Sequence, residues 1–126
     1  MSLPAPVIAL AAWAVPGLGH LLLGKPHKAA YFGLLILGIF GLGLVFGHGA
    51  SVSAARFPWH IYGQMGAGLP ALLADRLLGV IPQGRTIDRL ELGVVFTTVA
   101  GIMNVVAIVD AYELARRRGA PVGNAR

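Results

Sequence analysis

The polar side chains that could carry chemistry are few, and the largest group lies in the last apolar stretch of the chain. Gly93, Thr97 and Gly101 are spaced i, i+4 and i+8, so they share one face of a helix, which Asn104 continues. An amide in the middle of a membrane helix gains roughly 0.6 to 2 kcal/mol from a hydrogen bond to a neighbouring helix. The stripe therefore predicts close packing against another helix.

The alternative function for these side chains is a polar path that passes protons or ions. Ionisable groups inside a membrane commonly mark such paths. Asp75 and Asp110 are the carboxylates that could take part, together with Asn104 and the hydroxyl groups of Thr97 and Thr98. A conduit of this kind requires a wet cavity that joins at least two of these groups.

His20 lies near the end of the first apolar stretch, where an imidazole could bind a ligand or take up a proton near neutral pH. Its structural interpretation is an interfacial side chain that hydrogen-bonds a neighbouring backbone group. Asp110 likewise could be an interfacial carboxylate paired with His20, with Lys25 or with the arginines that follow it. His20, Asp75 and Asp110 together are the candidate polar site.

Several classes of catalytic and metal site are excluded by residue type. The chain has no cysteine, so it can form no disulfide, thiolate nucleophile or thiolate-bound metal centre. The HExxH, GxSxG and P-loop motifs do not occur. His27, His48 and His60 fall at the ends of apolar segments, which makes haem held by two histidines inside the bilayer improbable. We therefore expect no enzyme activity, no metal and no cofactor.

The composition is that of a membrane protein. Of 126 residues, 56% are hydrophobic and 12% are charged, whereas charged residues make up about 25% of an average soluble domain. The net charge of +5 reflects a shortage of acids and does not indicate nucleic-acid binding. The one dense basic cluster, Arg116, Arg117 and Arg118, directly follows an apolar stretch, which is typical of a cytoplasmic flank that also contacts lipid head groups.

The elements that position these residues are expected to be helices throughout. Residues 5–24 and 29–47 are each long enough to cross a bilayer and are separated by a short polar break, so they predict a helical hairpin. Pro16, with Gly17 and Gly19 after it, is expected to kink or break the first helix. Residues 91–115 predict the last span, and residues 116–126 a basic tail.

Residues 61–81 are ambiguous, because three glycines and Pro70 crowd the first half and the Asp75–Arg76 pair interrupts the second. A re-entrant or interfacial helix and a true span both fit this pattern. Residues 48–60 predict an interfacial loop, with Trp59 in the head-group layer. The expected fold is an all-α integral membrane bundle of three transmembrane helices plus one re-entrant or interfacial helix; the alternative has four transmembrane helices. We find no convincing internal repeat.

Glycine is frequent in the second apolar run, where Gly43 and Gly47 form a small-xxx-small pair. Small residues let helix backbones approach closely in lipid, so these two positions join Gly93, Thr97, Gly101 and Asn104 as predicted helix-packing residues. The count of basic residues slightly favours a cytoplasmic C-terminus whether or not residues 61–81 cross.

Two segments carry a resemblance. Residues 15–25, VPGLGHLLLGK, resemble the PGxGHxYxG hairpin of small bacterial membrane proteins, itself similar to the two-transmembrane-helix hairpin domain. Residues 91–112 are similar to an uncharacterised family whose last helix reads E-x-G-x-x-Y-T-x-x-A-G-x-x-N and ends in D-A; Leu22 and Phe96 stand where tyrosine is common. The resemblance implies a membrane protein of unknown function with no catalytic residue. It singles out Gly17, Gly19, His20, Glu91, Gly93, Thr97, Gly101, Asn104 and Asp110.

The function expected from these features is that of a non-catalytic accessory or structural subunit in a bacterial inner membrane. Its partners would be membrane lipids and either a second copy or the transmembrane subunits of a larger assembly, for example a respiratory or photosynthetic complex, and not nucleic acid. The alternative is a small transporter or proton conduit that uses Asp75, Asn104 and Asp110.

Overall fold

The computed structural model describes residues 3–53, 58–78 and 89–119. All regular secondary structure in these ranges is helical. The helices are α1 (Ala5–Ala14), α2 (Leu18–Leu22), α3 (Pro26–Phe46), α4 (His60–Gln64), α5 (Leu69–Leu78) and α6 (Leu90–Gly119), and a 3-10 turn, Met65–Ala67, joins α4 to α5.

Two helices, α3 and α6, are long and apolar enough to cross a membrane, and each has a mean hydropathy of 2.3 over its most apolar window. They run antiparallel, because Lys28 near the start of α3 contacts Asp110 near the end of α6, and Gly43 near the end of α3 packs against Gly93. We call the end with Lys28 and the C-terminus of α6 the basic end, and the end with Gly43 and Gly93 the opposite end. At 1.5 Å per residue, α3 extends about 31 Å and α6 about 45 Å.

The first apolar run does not form one continuous helix. Pro16 has no N–H to continue the ladder, Val15 is extended, and Gly17 has a φ of 91°, a left-handed conformation that suits glycine. The chain turns back there, since a Cβ on Gly19 would lie 2.7 Å from the Cβ of Ala12 and 3.2 Å from that of Ala111. The break near Pro16 was expected, but the structure differs from the expected single span: α1 and α2 form a hairpin that returns to the basic end.

A second hairpin comes from the opposite end. Gly63 in α4 packs against Thr98, and Gly66 packs against Gly101, so the chain advances toward the middle of α6. It reverses at Gly68, whose φ is 75°, and α5 returns until Leu78 lies beside Gly49. Residues 60–78 thus begin and end at the same end of the bundle, which is the geometry of the re-entrant alternative. Residues 79–81 of the predicted segment lie outside the described residues.

The two hairpins give the chain an inverted internal order that the sequence does not reveal. Each half consists of two short helical segments joined by a turn and then one long helix, and the two long helices point in opposite directions. The two halves share no visible sequence pattern. The first hairpin turns at Pro16 and Gly17, and the second turns at Gly68. What recurs is a glycine with positive φ at each turn.

The interior is built largely from alanine and small polar residues. One apolar cluster consists of Ile36, Phe40, Val52, Ala67, Ala71, Ala74, Ala100 and Ala107. A second, at the basic end, consists of Ile8, Ala12, Leu23, Ala111 and Ala115. Residues 50–53 are buried, although the sequence predicts an interfacial loop from 48 to 60; Val52 is fully buried in the first cluster. Trp59, in the same predicted loop, is 82% exposed.

Candidate functional site

Three ionisable side chains meet at the basic end, where they join α2, α3 and α6. His20 Nε2 lies 2.8 Å from Asp110 Oδ2, and Lys28 Nζ lies 3.0 Å from the same oxygen. Of the partners expected for Asp110, the structure selects His20, and it adds Lys28 in place of Lys25. We call His20, Lys28 and Asp110 the triad.

His20 is fully buried although it belongs to a helix of five residues. The turn at Gly17 directs α2 back along α1 and places the imidazole between α3 and α6. The ring stacks on Phe32, with centroids 4.9 Å apart and an interplanar angle of 22°. If Nε2 carries the proton that it donates to Asp110, the buried Nδ1 is an acceptor, and it has no hydrogen-bond partner in the described part of the chain.

This arrangement limits what the triad can do chemically. Asp110 is half-exposed, and its Oδ2 is already engaged by a histidine donor and a lysine ammonium. A carboxylate held in this way is poorly suited to release and rebind a proton, because each partner favours its charged form. The triad therefore acts first as a cross-link among three helices.

A second polar contact lies at the midpoint of α6. Asn104 is fully buried, and its Nδ2 donates to the carbonyl oxygens of Ala12 at 3.2 Å and Gly66 at 2.8 Å. Both carbonyls lie where a hairpin approaches its turn, so they lack the regular i+4 partner of a continuous helix. Asn104 thus satisfies one backbone group from each hairpin. Its own Oδ1 has no hydrogen-bond partner among the described residues.

Gln64 forms a third buried contact, which the sequence analysis missed. Its Nε2 donates to the carbonyl oxygen of Ser51 and to Thr97 Oγ1, each at 2.8 Å. Thr97 Oγ1 in turn lies 3.0 Å from the carbonyl oxygen of Gly93, and Ser51 Oγ donates to that of Gly43 at 3.0 Å. A lone glutamine in an uncharged stretch between glycines was the available signal. The signal is weak, because the amide's partners, Ser51 and Thr97, are distant from it in sequence.

The glycines predicted for helix packing are used within this chain. A Cβ on Gly43 would lie 2.6 Å from Thr97 Cγ2 and 2.8 Å from the carbonyl oxygen of Gly93. A Cβ on Gly47 would lie 2.8 Å from the Cβ of Ser51, and one on Gly101 would overlap the carbonyl oxygen of Gly63. These positions, with Asn104, therefore mediate contacts between helices of one molecule.

The remaining predicted residues are not brought together. Asp75 lies on α5 one turn before Leu78, toward the opposite end, whereas Asp110 lies at the basic end. Arg116, Arg117 and Arg118 are exposed on the last turn of α6, and Arg117 lies 3.4 Å from Glu113. Within residues 3–53, 58–78 and 89–119, no cluster of three or more histidine, aspartate or glutamate side chains could hold a metal ion.

Comparison with known proteins gives one result. No curated protein and no solved structure matches the chain. The model of DUF6677, described as a family of unknown function, matches residues 7–120. The match extends from α1 to the end of α6 and so includes both hairpins, the triad, Asn104 and Gln64. The resemblance to the two-transmembrane-helix hairpin domain stays a prediction. Because the match covers most of its length, the chain belongs to DUF6677, a family of unknown function.

Proposed function

We propose that this chain is an integral membrane protein in which α3 and α6 cross the bilayer and the two hairpins enter from opposite sides without crossing. Large apolar side chains are exposed around the bundle, among them Leu34 at 77%, Val45 at 70% and Val106 at 61%. A surface of this kind suits lipid rather than water. Near the turns, the carbonyl oxygens of Ala12, Met65 and Gly66 accept hydrogen bonds from side chains inside the protein, as a bilayer requires of backbone groups.

The basic end is proposed to face the cytoplasm of a bacterial cell. It carries Lys25, Lys28 and the three arginines at the end of α6, whereas Arg76 and Arg89 lie toward the opposite end among the described residues. An excess of lysine and arginine marks the cytoplasmic side of membrane proteins. The C-terminus of α6 would then be cytoplasmic.

Within the membrane, we propose a non-catalytic structural or accessory role in which the outer face of α3 packs against another helix. The observation that carries this proposal is the open space at Gly38 and Gly41, where an added Cβ would meet no atom of the described residues within 4 Å. Glycine inside a helix costs about 1 kcal/mol relative to alanine in water. Gly43 of α3 permits a close contact with α6 inside the chain, whereas Gly38 and Gly41 permit no such contact among the described residues.

The neighbouring surface fits such a contact. Leu34, Leu37, Leu42 and Val45 are exposed on α3 around the two glycines. Glycines flanked by branched side chains let a second backbone approach closely and give it side chains to pack between. The partner would be a second copy of this chain or a transmembrane subunit of a larger assembly, and no nucleic acid is involved.

The conduit alternative has less support. Asp110 is engaged by His20 and Lys28, and Asp75 lies toward the other end of the bundle. A path through Asn104 would have to break its hydrogen bonds to both hairpins. Flux measurements with Asp110→Asn would become the next experiment only if the structural role failed.

The test is purification of the tagged full-length chain in a mild detergent, with the masses of all co-eluting species. The double variant Gly38→Leu/Gly41→Leu should lose a stoichiometric partner or second copy that the wild type retains. The matched control, Val106→Leu/Val109→Leu, adds bulk to the exposed face of α6 and should retain it. A wild-type chain that elutes as a monomer, without foreign subunits, would contradict the structural role.

A further inference from the structure

A cleft of about 320 Å³ lies between α2 and α3. One wall is formed by Leu18 and Leu21 of α2, and the other by Pro26, Ala29 and Ala30 of α3. Every lining residue is apolar, and the cleft is open to the outside of the bundle. The small side chains of Ala29 and Ala30, near the start of α3, leave this space open. Larger side chains at these alanines would fill it.

The cleft runs along the depth of the bundle. Its inner end is at Pro16 and Gly17, and Pro16 packs on Gly33 of α3. Its outer end is at Pro26, where α3 begins at the basic end. From Pro26 to Gly33 the rise along α3 is about 10 Å. A hydrocarbon chain lying in the cleft would therefore extend from the membrane surface toward the middle of the bilayer.

The charge around the outer end is positive. Lys25 directly precedes Pro26, and His27 and Lys28 follow it. Lys28 is bound to Asp110, so Lys25 is the ammonium group left closest in sequence to the mouth of the cleft. Basic side chains at a membrane surface attract anionic lipid head groups by about 1 kcal/mol each, which corresponds to about a fivefold preference.

We propose that this cleft holds one acyl chain of an anionic phospholipid, with its head group bound at Lys25. The inference rests on the proposed membrane location of the chain. It goes beyond that proposal by naming a site and a ligand class. The apolar cleft, at hydrocarbon depth, holds the acyl chain, and the positive charge at its outer end selects the negative head group. The acyl chain of a neutral phospholipid would fit the cleft, but its head group would not be attracted by Lys25.

The test uses the full-length chain in proteoliposomes with spin-labelled phosphatidylglycerol or phosphatidylcholine, and measures the motionally restricted lipid by electron spin resonance. Flotation with the liposomes comes first. A chain that does not float would contradict the proposed membrane location itself, and the lipid site with it. For a chain that floats, we expect about a fivefold preference for phosphatidylglycerol; equal restriction of the two lipids would overturn the lipid site alone.

Two variants and their controls test the head-group site and the acyl-chain site separately. Lys25→Gln should abolish most of the preference, whereas Lys25→Arg keeps a positive charge at the outer end of the cleft and should retain it. Ala30→Phe should fill the cleft and reduce the restricted population of both lipids, whereas Leu34→Phe, farther along α3, should not. Each variant must keep the helical circular dichroism of the wild type. An unchanged restricted population in Ala30→Phe would overturn the proposal.

Discussion

The indole Nε1 of Trp13 donates a hydrogen bond to the carbonyl oxygen of Met65 at 2.9 Å, and this contact joins the two hairpins near their turns. Beside it, the left-handed Gly68 lies so close to the Trp13 carbonyl that no Cβ could be accommodated. The two hairpins therefore meet through backbone groups and one indole. The Met65 carbonyl also accepts a hydrogen bond from the Gly68 N–H, so the indole is its second donor at the turn.

Replacing Trp13 with phenylalanine tests this contact. Trp13→Phe keeps an aromatic ring but removes the indole donor, while the Met65 carbonyl retains its hydrogen bond from the Gly68 N–H. We therefore expect the free energy of unfolding to fall by about 0.5 to 1.5 kcal/mol. The measurement is denaturant unfolding in a mild detergent. Trp59→Phe is the matched control, since Trp59 is 82% exposed, and its stability should change little. Equal effects of the two substitutions would show that the indole hydrogen bond is not needed.

The glycines of α3 give a sharper comparison. In Gly43→Ala the new methyl group would meet Thr97 and the Gly93 carbonyl, so we expect a loss of about 1 to 3 kcal/mol in the free energy of unfolding. In Gly41→Ala the methyl group has no neighbour within 4 Å in the described part of the chain, and the free energy of unfolding of the isolated chain should rise by up to about 1 kcal/mol. Unfolding in detergent at low protein concentration measures both. A Gly43→Ala chain as stable as the wild type would contradict the close approach of α3 and α6.

Asn104 was predicted to need a partner, but the sequence could not say which. We expect Asn104→Leu to lower the free energy of unfolding by roughly 0.6 to 2 kcal/mol per lost hydrogen bond. The loss falls on both hairpins, since Ala12 and Gly66 each lose a donor. Hydrogen exchange in both turns should therefore rise together. Exchange that rises in one turn alone would mean that Asn104 does not link them. Val106→Leu, on the exposed side of α6, is the control.

The sequence predicts α3 and α6 because a long uncharged run in lipid must pair its backbone groups within itself, which a helix does. It predicts a break at Pro16 because proline lacks an N–H. It does not predict that α2 returns along α1, since the direction after a break depends on what the next segment packs against; here Gly19 meets Ala12 and Ala111. Gln64 was missed for a related reason. Its importance depends on Ser51 and Thr97, which are distant in sequence and are brought together only by the second hairpin.

The triad can be dissected by double-mutant cycles. His20 is fully buried, whereas Lys28 is 47% exposed, so the two contacts with Asp110 should differ in strength. For Lys28→Met and Asp110→Asn we expect a coupling free energy of at most about 1 kcal/mol, as for other exposed ion pairs. The His20→Phe and Asp110→Asn cycle should give a larger value, because the buried imidazole cannot exchange Asp110 for water. A larger coupling for Lys28 would show that the ion pair between α3 and α6, and not the hydrogen bond from His20 of α2, is the stronger contact of the triad.

The second hairpin makes a prediction about topology that separates it from a crossing helix. The chain has no cysteine, so each introduced cysteine is the sole target of a membrane-impermeant maleimide. Cysteines at Trp59 and Leu78 flank α4 and α5, and both are exposed toward the opposite end of the bundle. In oriented membrane vesicles they should label from the same side, whereas cysteines at His27 and Arg117 should label from the other.

The four-helix alternative predicts a different pattern, with the cysteine at Leu78 labelled from the side of His27. The distinction is physical, since a helix continuing through Gly68 would place Leu78 about 28 Å from Trp59 along its axis, whereas the turn at Gly68 returns it to Gly49. Labelling of Trp59 and Leu78 from opposite sides would therefore rule out the hairpin. It would also place the Trp13 to Met65 hydrogen bond, which depends on that turn, in doubt.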